Sequence, residues 1–210
     1  MKTIRIKNEQ NIQQIEHTVL VLGYFDGLHK GHQALFAEAR KIAAAKDLKI
    51  AVLTFPESPK LAFVRYQPSL MLHLTSPEER LQQLENLGVD YLYLVDFTSQ
   101  FARNTAEQFF TKYISRLKAK TVIAGFDYHF GSDRRSAEDL EKLFEGQVII
   151  VPSVNFNGVK ISSTRIRETV LAGNVAESNQ LLGYSLSTSG IVVHGNARGR
   201  TIGYPTANLA

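Results

Sequence analysis

The 210-residue chain is predicted to be an α/β protein built on a mostly parallel sheet. Three observations predict it. Short apolar runs alternate with helical patterns from residue 19 to residue 151, as strand–helix units require. The runs are rich in Val, Ile and Leu, as strands buried on both faces are. A segment dense in glycine and histidine, Gly23-Tyr24-Phe25-Asp26-Gly27-Leu28-His29-Lys30-Gly31-His32, stands where the first run should hand over to the first helix.

Strands are predicted at residues 19–22, 50–54, 91–95, 121–124 and 147–151, and helices at 32–45, 77–87, 105–117 and 137–144. In the second helix Leu81, Leu84 and Leu87 recur at helical spacing, which marks core rather than a site. Ser76-Pro77 supplies an N-cap followed by proline in the first turn, and Gly88 ends the helix. Beyond Val151, Asn155 to Val159 reads as a turn between two short extended pieces. A short helix to Leu171 follows, closed by Gly173, then another at 176–182 closed by Gly183. From Ser185 the texture is glycine-rich and β-like, so a boundary is placed between residues 1–184 and 185–210. Ligands of such sheets bind beyond the carboxyl ends of the strands, which points to the loops after the first, second and fourth predicted strands.

Composition narrows the function classes. With 44% hydrophobic residues the chain is globular. Its net charge of +4 suits anionic small molecules, and Lys and Arg are too dispersed for a nucleic-acid footprint. There is no cysteine, which excludes disulfides and thiol catalysis. The N-terminus has no apolar signal core and no run approaches a membrane span, so a cytoplasmic protein without membrane or nucleic-acid partners is expected. The sequence is silent on oligomeric state.

The residue types of the Gly23–His32 segment suit phosphate chemistry. Gly23 would turn the chain sharply, and Gly27 and Gly31 would let a polyphosphate approach the backbone. A helix starting near Gly31 would offer unpaired N–H groups to an anion. His29 and His32 add side-chain donors. Neither the dinucleotide fingerprint nor the P-loop spacing is present. The His-x-x-His spacing lacks the i, i+4 geometry of zinc proteases, so no metal site is assigned. A glycine-rich turn with two surface histidines is the plain alternative. The strand-to-helix setting favours the phosphate reading.

Ser162-Ser163-Thr164 stands at a second helix start, followed by Arg165 and Arg167 in the same turn. Hydroxyls cap such a terminus and free N–H groups hold anions. Arginines there oppose the helix dipole, so an anion should compensate them. With the histidine motif the segment reads as the second jaw of a triphosphate clamp.

Taken with Gly23–His32, the stretch Ile161-Ser162-Ser163-Thr164-Arg165-Ile166-Arg167 and the C-terminal Gly195-Asn196-Ala197-Arg198-Gly199-Arg200-Thr201-Ile202-Gly203-Tyr204-Pro205-Thr206-Ala207-Asn208 resemble the bacterial bifunctional riboflavin kinase/FMN adenylyltransferase, or FAD synthetase, family. The stretches at residues 74–80 and 88–90 also fit. The resemblance implies a Rossmann-like nucleotidyltransferase domain carrying His-x-Gly-His, followed by the start of a C-terminal β-barrel. The implied reaction is transfer of AMP from ATP to FMN, giving FAD and pyrophosphate, with Mg²⁺ held mainly by phosphates and water. By resemblance His29 and His32 are the catalytic pair at the ATP phosphates. Gly23, Phe25, Gly31, Ser162, Ser163, Thr164 and Arg167 form the candidate ATP-phosphate set, in which Ser163, Thr164 and Arg167 match positions gripping the β- and γ-phosphates. Phe126, Tyr128 and Phe130 alternate after the fourth predicted strand and, if extended, present one apolar face to a flat ring. Asp127 and Phe55 complete the candidate flavin set. His17, His73, His129 and His194 are read as incidental. One stretch departs from the pattern, Pro56-Glu57-Ser58-Pro59 in place of a Pro-His-Pro; Lys160 stands where a basic residue is expected, a weaker phosphate ligand than a bidentate arginine. By resemblance Thr206 and Asn208 belong to the Mg-ATP site of a riboflavin kinase module, of which the chain is expected to hold only the beginning. The full-length protein is expected also to phosphorylate riboflavin. Two alternatives remain at this level: a nucleotidyltransferase with another small acceptor, and a non-catalytic flavin- or nucleotide-binding module.

Overall fold

A computed structural model describes residues 1–7, 12, 16–59, 72–196, 198–204 and 206–209. A six-stranded parallel sheet runs in the order β1-β4-β3-β2-β5-β8. Its strands are β1 (Lys2–Ile6), β2 (Thr18–Leu22), β3 (Lys49–Thr54), β4 (Tyr91–Val95), β5 (Ala119–Gly125) and β8 (Gln147–Val151). The five predicted strands are all present. The sixth, β1, was not predicted. Its sequence Lys-Thr-Ile-Arg-Ile lacks a continuous apolar run: at the sheet edge beside β4 only alternate residues, Ile4 and Ile6, pack against the core.

The central strands explain their composition. Leu20 and Leu22 of β2 point into one apolar cluster with Leu53, Tyr93 and Phe109. Val19 and Val21 point into a second, with Phe36, Ala39 and Val52. Both faces of β2 are therefore dry, and each such buried side chain contributes about 1.5–3 kcal/mol. Helix α1 (Lys30–Lys46) covers the second face through Leu35, Phe36, Ala39, Ile42 and Ala43. It begins two residues before the predicted start, because His29 acts as its N-cap.

Helix α2 (Pro77–Asn86) has the predicted Ser76 cap, extended to a capping box by Glu79. Between β4 and β5 lie α3 (Ser99–Ala102), α4 (Ala106–Lys112) and a 3₁₀ turn at Ile114–Leu117. The predicted single helix at 105–117 is broken at Tyr113, whose ring packs on Phe101 and Phe109. The chain then leaves the 3₁₀ turn through left-handed Lys118. The two-residue strands β6 (His129–Phe130) and β7 (Arg135–Ser136) form a small ladder. The predicted helix at 137–144 is a 3₁₀ turn, Ala137–Asp139, followed by α5 (Leu140–Leu143).

The predicted turn after Val151 is a hairpin of β9 (Asn155–Phe156) and β10 (Val159–Lys160). Asn157 and Gly158 at its tip both have positive φ, the geometry a two-residue hairpin favours. Helices α6 (Ser163–Leu171) and α7 (Val175–Leu182) follow. Leu74, Ile161, Ile166, Leu181 and Leu182 pack them into a third apolar cluster. Beyond Ser185, β11 (Val192–Val193) pairs antiparallel with β12 (Asn208–Leu209) around α8 (Arg198–Thr201). No barrel closes among the described residues, and Ala197 and Pro205 of the C-terminal motif lie outside them.

Strand order reverses between β2 and β5. The loops after these strands therefore flank a crevice at the carboxyl edge of the sheet, where ligands of doubly wound folds bind. Replacing Ser76 by Ala removes the α2 cap; thermal or urea unfolding should register a loss of about 1 kcal/mol.

Candidate nucleotide and flavin site

A cavity of about 930 Å³ opens at that crevice. It is lined by Gly23, His29, His32 and Gly31 after β2, by Phe55 after β3, by Phe126, Asp127, Tyr128 and Phe130 after β5, and by Ser162, Ser163, Thr164 and Arg167 at the start of α6. The fold thus gathers the phosphate-motif and flavin-motif residues into one space.

The first loop is built around Phe25. Its ring is buried against Phe36 and meets His32 edge-on, although its backbone has a positive φ of 63°. Any contact Phe25 makes with a ligand falls to its backbone. Gly23 does not have a positive φ, contrary to the sequence expectation. It is glycine because a Cβ would stand 2.6 Å from the Phe25 ring. Gly27 does have a positive φ, but its missing Cβ makes room for Leu74 at 2.7 Å rather than for a phosphate. Gly31 lies against the His29 ring, 3.0 Å from where its Cβ would be.

His29 and His32 stack with ring centroids 3.7 Å apart. The Nδ1 of His29 accepts the backbone N–H of His32 at 3.3 Å. A neutral His29 must then carry its proton on Nε2. The Nδ1 of His32 is buried without a partner among the described residues, and folded proteins leave a buried acceptor bare more often than a buried N–H donor. That also places the His32 proton on Nε2. Burial pushes His29 down to about 4, against a partial opposing pull from the Asp26 carboxylate. Burial, then the neighbouring His29, push His32 well below its ordinary value. Both rings are neutral N–H donors at neutral pH.

Asp26, which the motif reading passed over, joins the two jaws. Its side chain is only 3% exposed. One carboxylate oxygen accepts Arg167 Nη2 at 2.6 Å, the other accepts the Leu74 amide at 2.9 Å. Its backbone carbonyl accepts the Ser163 hydroxyl at 2.8 Å. Arg167 also donates through Nε to Leu72 at 2.7 Å, and its Nη1 has no protein partner among the described residues. Ser162 caps α6 by accepting the Arg165 amide, and Thr164 is exposed on the cavity wall. Arg165 does not face an anion site: it binds Glu177 at 2.8 Å and the Val159 and Phe156 carbonyls. The anion expected to offset both arginines is thus supplied inside the protein, by Asp26 and Glu177.

The aromatic loop is not extended. A turn, with Tyr128 N–H bonded to the Gly125 carbonyl at 3.0 Å, breaks the expected alternation. Tyr128 and Phe130 stack at 6.0 Å and belong to the core side of the cavity. Phe126 is 41% exposed and lies under the Lys160 ammonium at 4.5 Å. Lys160 also pairs with Asp127. Burial pushes the Tyr128 hydroxyl up, so it stays protonated. Phe55 meets Phe97 and Phe101 edge-on at 5.1 and 5.5 Å. Of the histidines read as incidental, His73 lines the cavity beside Tyr24 and Glu57, and His129 lines it while bonding the Asp127 carbonyl. Thr206 and Asn208 lie far along the chain, in the small β11–β12 ladder region.

Asp26→Asn would keep the Leu74 contact and lose the charge that holds Arg167. Because Arg167 is partly exposed, chemical denaturation should show a loss of about 1–3 kcal/mol, below that of a fully buried pair.

Residues 11–165 match the family model described as FAD synthetase, and residues 182–210 match that described as Riboflavin kinase. The chain is similar to the bifunctional riboflavin kinase/FMN adenylyltransferase of Listeria monocytogenes, with 42% identity over 194 residues, covering 91% of this chain and 62% of that protein. The Bacillus subtilis protein of the same name is 37% identical over 214 residues, covering 100% of this chain and 67% of its own. The chain is also similar to a crystal structure of the macrolide-efflux protein from Streptococcus pneumoniae, with a TM-score of 0.94 and 57% identity, covering 99% of this chain and 68% of that one. Among the described residues no helix is long and apolar enough to cross a membrane. Because the family match spans most of the sequence, including the histidine loop and the start of α6, the chain belongs to the FAD synthetase family.

Proposed function

We propose that this chain transfers the AMP of ATP to FMN, releasing FAD and pyrophosphate, as a soluble cytoplasmic enzyme. The observation that carries this reading is the single cavity shared by the neutral histidine pair, the Ser163–Arg167 helix start and the aromatic loop. In the reaction a phosphate oxygen of FMN attacks the α-phosphorus of ATP. The new P–O bond forms as the bond to the β-phosphate oxygen breaks, and its electron pair leaves with pyrophosphate. No protein nucleophile is required. The protein aligns the two phosphates and stabilises charge as the α-phosphorus becomes five-coordinate.

His29 and His32 are assigned to the α-phosphate as Nε2–H donors. Fixed neutral donors need little reorganisation as negative charge develops. The α6 terminus, Thr164 and the uncommitted Nη1 of Arg167 are assigned to the leaving pyrophosphate, with Gly23 and Gly31 shaping the loop opposite. Phe55, Tyr128 and Phe130 form the apolar wall for the isoalloxazine, Phe126 its exposed cover, and Asp127 a polar contact. Magnesium belongs to this reading as part of the Mg-ATP substrate. Among the described residues no cluster of three acidic or histidine side chains is built to hold a metal, and Asp26 and Asp127 are already paired with cations. The Riboflavin kinase match over residues 182–210 supports phosphorylation of riboflavin by a longer protein, with Thr206 and Asn208 as candidate Mg-ATP contacts.

Incubating the chain with FMN, ATP and Mg²⁺ should yield FAD and pyrophosphate in equal amounts; formation of neither would sink the reading. His32→Ala should lower turnover by about 10²–10³, the effect of one lost preorganised donor, and near wild-type turnover would remove His32 from the mechanism.

The pH behaviour follows from the histidine shifts. The active form has neutral rings, so beyond the ionisation of the substrate phosphates at about 6 the histidines should add no step to kcat/KM near their ordinary value of 6.5, and the acid limb they contribute should fall toward about 4. Stability has the same sign. Between about 4 and 6.5 the unfolded chain binds the His29 proton that the folded chain refuses. The melting temperature should therefore fall as pH drops through that window and lose this dependence above it, and His29→Asn should weaken the slope.

A further inference from the structure

Arg80 is buried on α2, only 6% exposed, and makes no ion pair among the described residues. Its Nη2 donates to the carbonyls of Phe55 at 2.9 Å and Pro56 at 3.0 Å. Its Nη1 reaches the Tyr24 carbonyl at 3.4 Å, and its guanidinium carbon lies 5.0 Å from the centre of the Tyr24 ring. Tyr24 belongs to the loop after β2, and Phe55 and Pro56 to the loop after β3. One guanidinium thus spans two neighbouring strand ends, one leading to the histidines and the other carrying an aromatic wall of the cavity. Thr54 ties the same point by donating to the Tyr24 carbonyl at 3.0 Å.

A charge buried without a counter-charge is costly, and carbonyl dipoles offset only part of that cost. Its position four residues into α2 is also unfavourable for the helix dipole. A fork of fixed N–H groups meeting carbonyls of two loops is the arrangement arginine can make and lysine cannot. On the adenylyl-transfer reading above, we infer that Arg80 is a positioning residue: it sets the Phe55 wall, and with it the acceptor subsite, against the histidine loop. The phosphate jaw has its own tie through Asp26, so loss of Arg80 should affect the two halves of the site unequally.

The test uses Arg80→Met and Arg80→Lys in the whole chain. KM is measured for FMN and for ATP, and backbone amide exchange is followed by mass spectrometry. The expected result for Arg80→Met is a rise of about tenfold or more in the KM for FMN, with that for ATP within about twofold, since small misplacements of a reactant are costly. Exchange at Phe55, Glu57 and Ser58 should quicken while that at Ser163 to Arg167 stays as in the wild type. Arg80→Lys keeps the charge without the fork and should resemble Arg80→Met. Equal changes in both KM values, wild-type behaviour of Arg80→Lys, or unaltered exchange at 55–58 would overturn the inference. If Arg80→Met does not fold, Arg80→Lys decides by the same measures. A wild-type chain that forms no FAD would defeat the substrate reading alone, because the exchange comparison still judges Arg80.

Discussion

The carboxylate of Asp26 holds the site together. It lies in the loop after β2, yet its partners are a guanidinium on α6 and an amide at residue 74. With the Ser163 hydroxyl on its own carbonyl, it brings two helix starts separated by more than 130 residues to one cavity. The pair sits where its two partners differ in exposure. Asp26 is almost fully dry, whereas Arg167 keeps one face toward the cavity. The acid can therefore anchor the arginine without consuming every donor it carries. Breaking such a pair leaves a buried charge uncompensated, which is why its loss should be felt in stability as well as in activity.

Around this tie, burial sets the chemistry. The stacked histidines lie against Phe25 and the start of α1, and desolvation keeps them uncharged. A Cβ at Gly23 would collide with the Phe25 ring and one at Gly31 would press on the His29 ring, so the atoms that shape the loop also bear on the histidine orientation. The acceptor side is organised differently. Phe126 is covered by a lysine paired to Asp127, while Tyr128 and Phe130 continue the core. The exposed part of the cavity is thus polar and charged, and its floor apolar.

Much of the framework was legible before any coordinates. The central strands announced themselves because both their faces are buried, and Ser76, Gly173 and Gly183 marked helix ends through local chemistry. β1 escaped because an edge strand needs only one apolar face and no run of valines. The break at Tyr113 escaped because ring packing against Phe101 and Phe109, not local propensity, interrupts that helix, and the segment 137–144 opens as a 3₁₀ turn before a single α-helical turn. In the site, the histidines, the serines and Arg167 were readable as motifs. The sequence expects an anion beside Arg165, and nothing local tells that this anion is the Glu177 carboxylate rather than a ligand.

The sequence by itself determined the residue types and their local roles: donors at helix starts, small residues at tight loops, and an apolar run for every central strand. Those depend on spacing within a few residues. Tertiary structure alone decided which groups meet. It paired Asp26 with Arg167, gave Gly27 to Leu74, bent the aromatic loop and buried Arg80 between two loops. Each of these depends on contacts between distant segments, whose energies are set by burial and by the partners that packing supplies, and no local pattern encodes them.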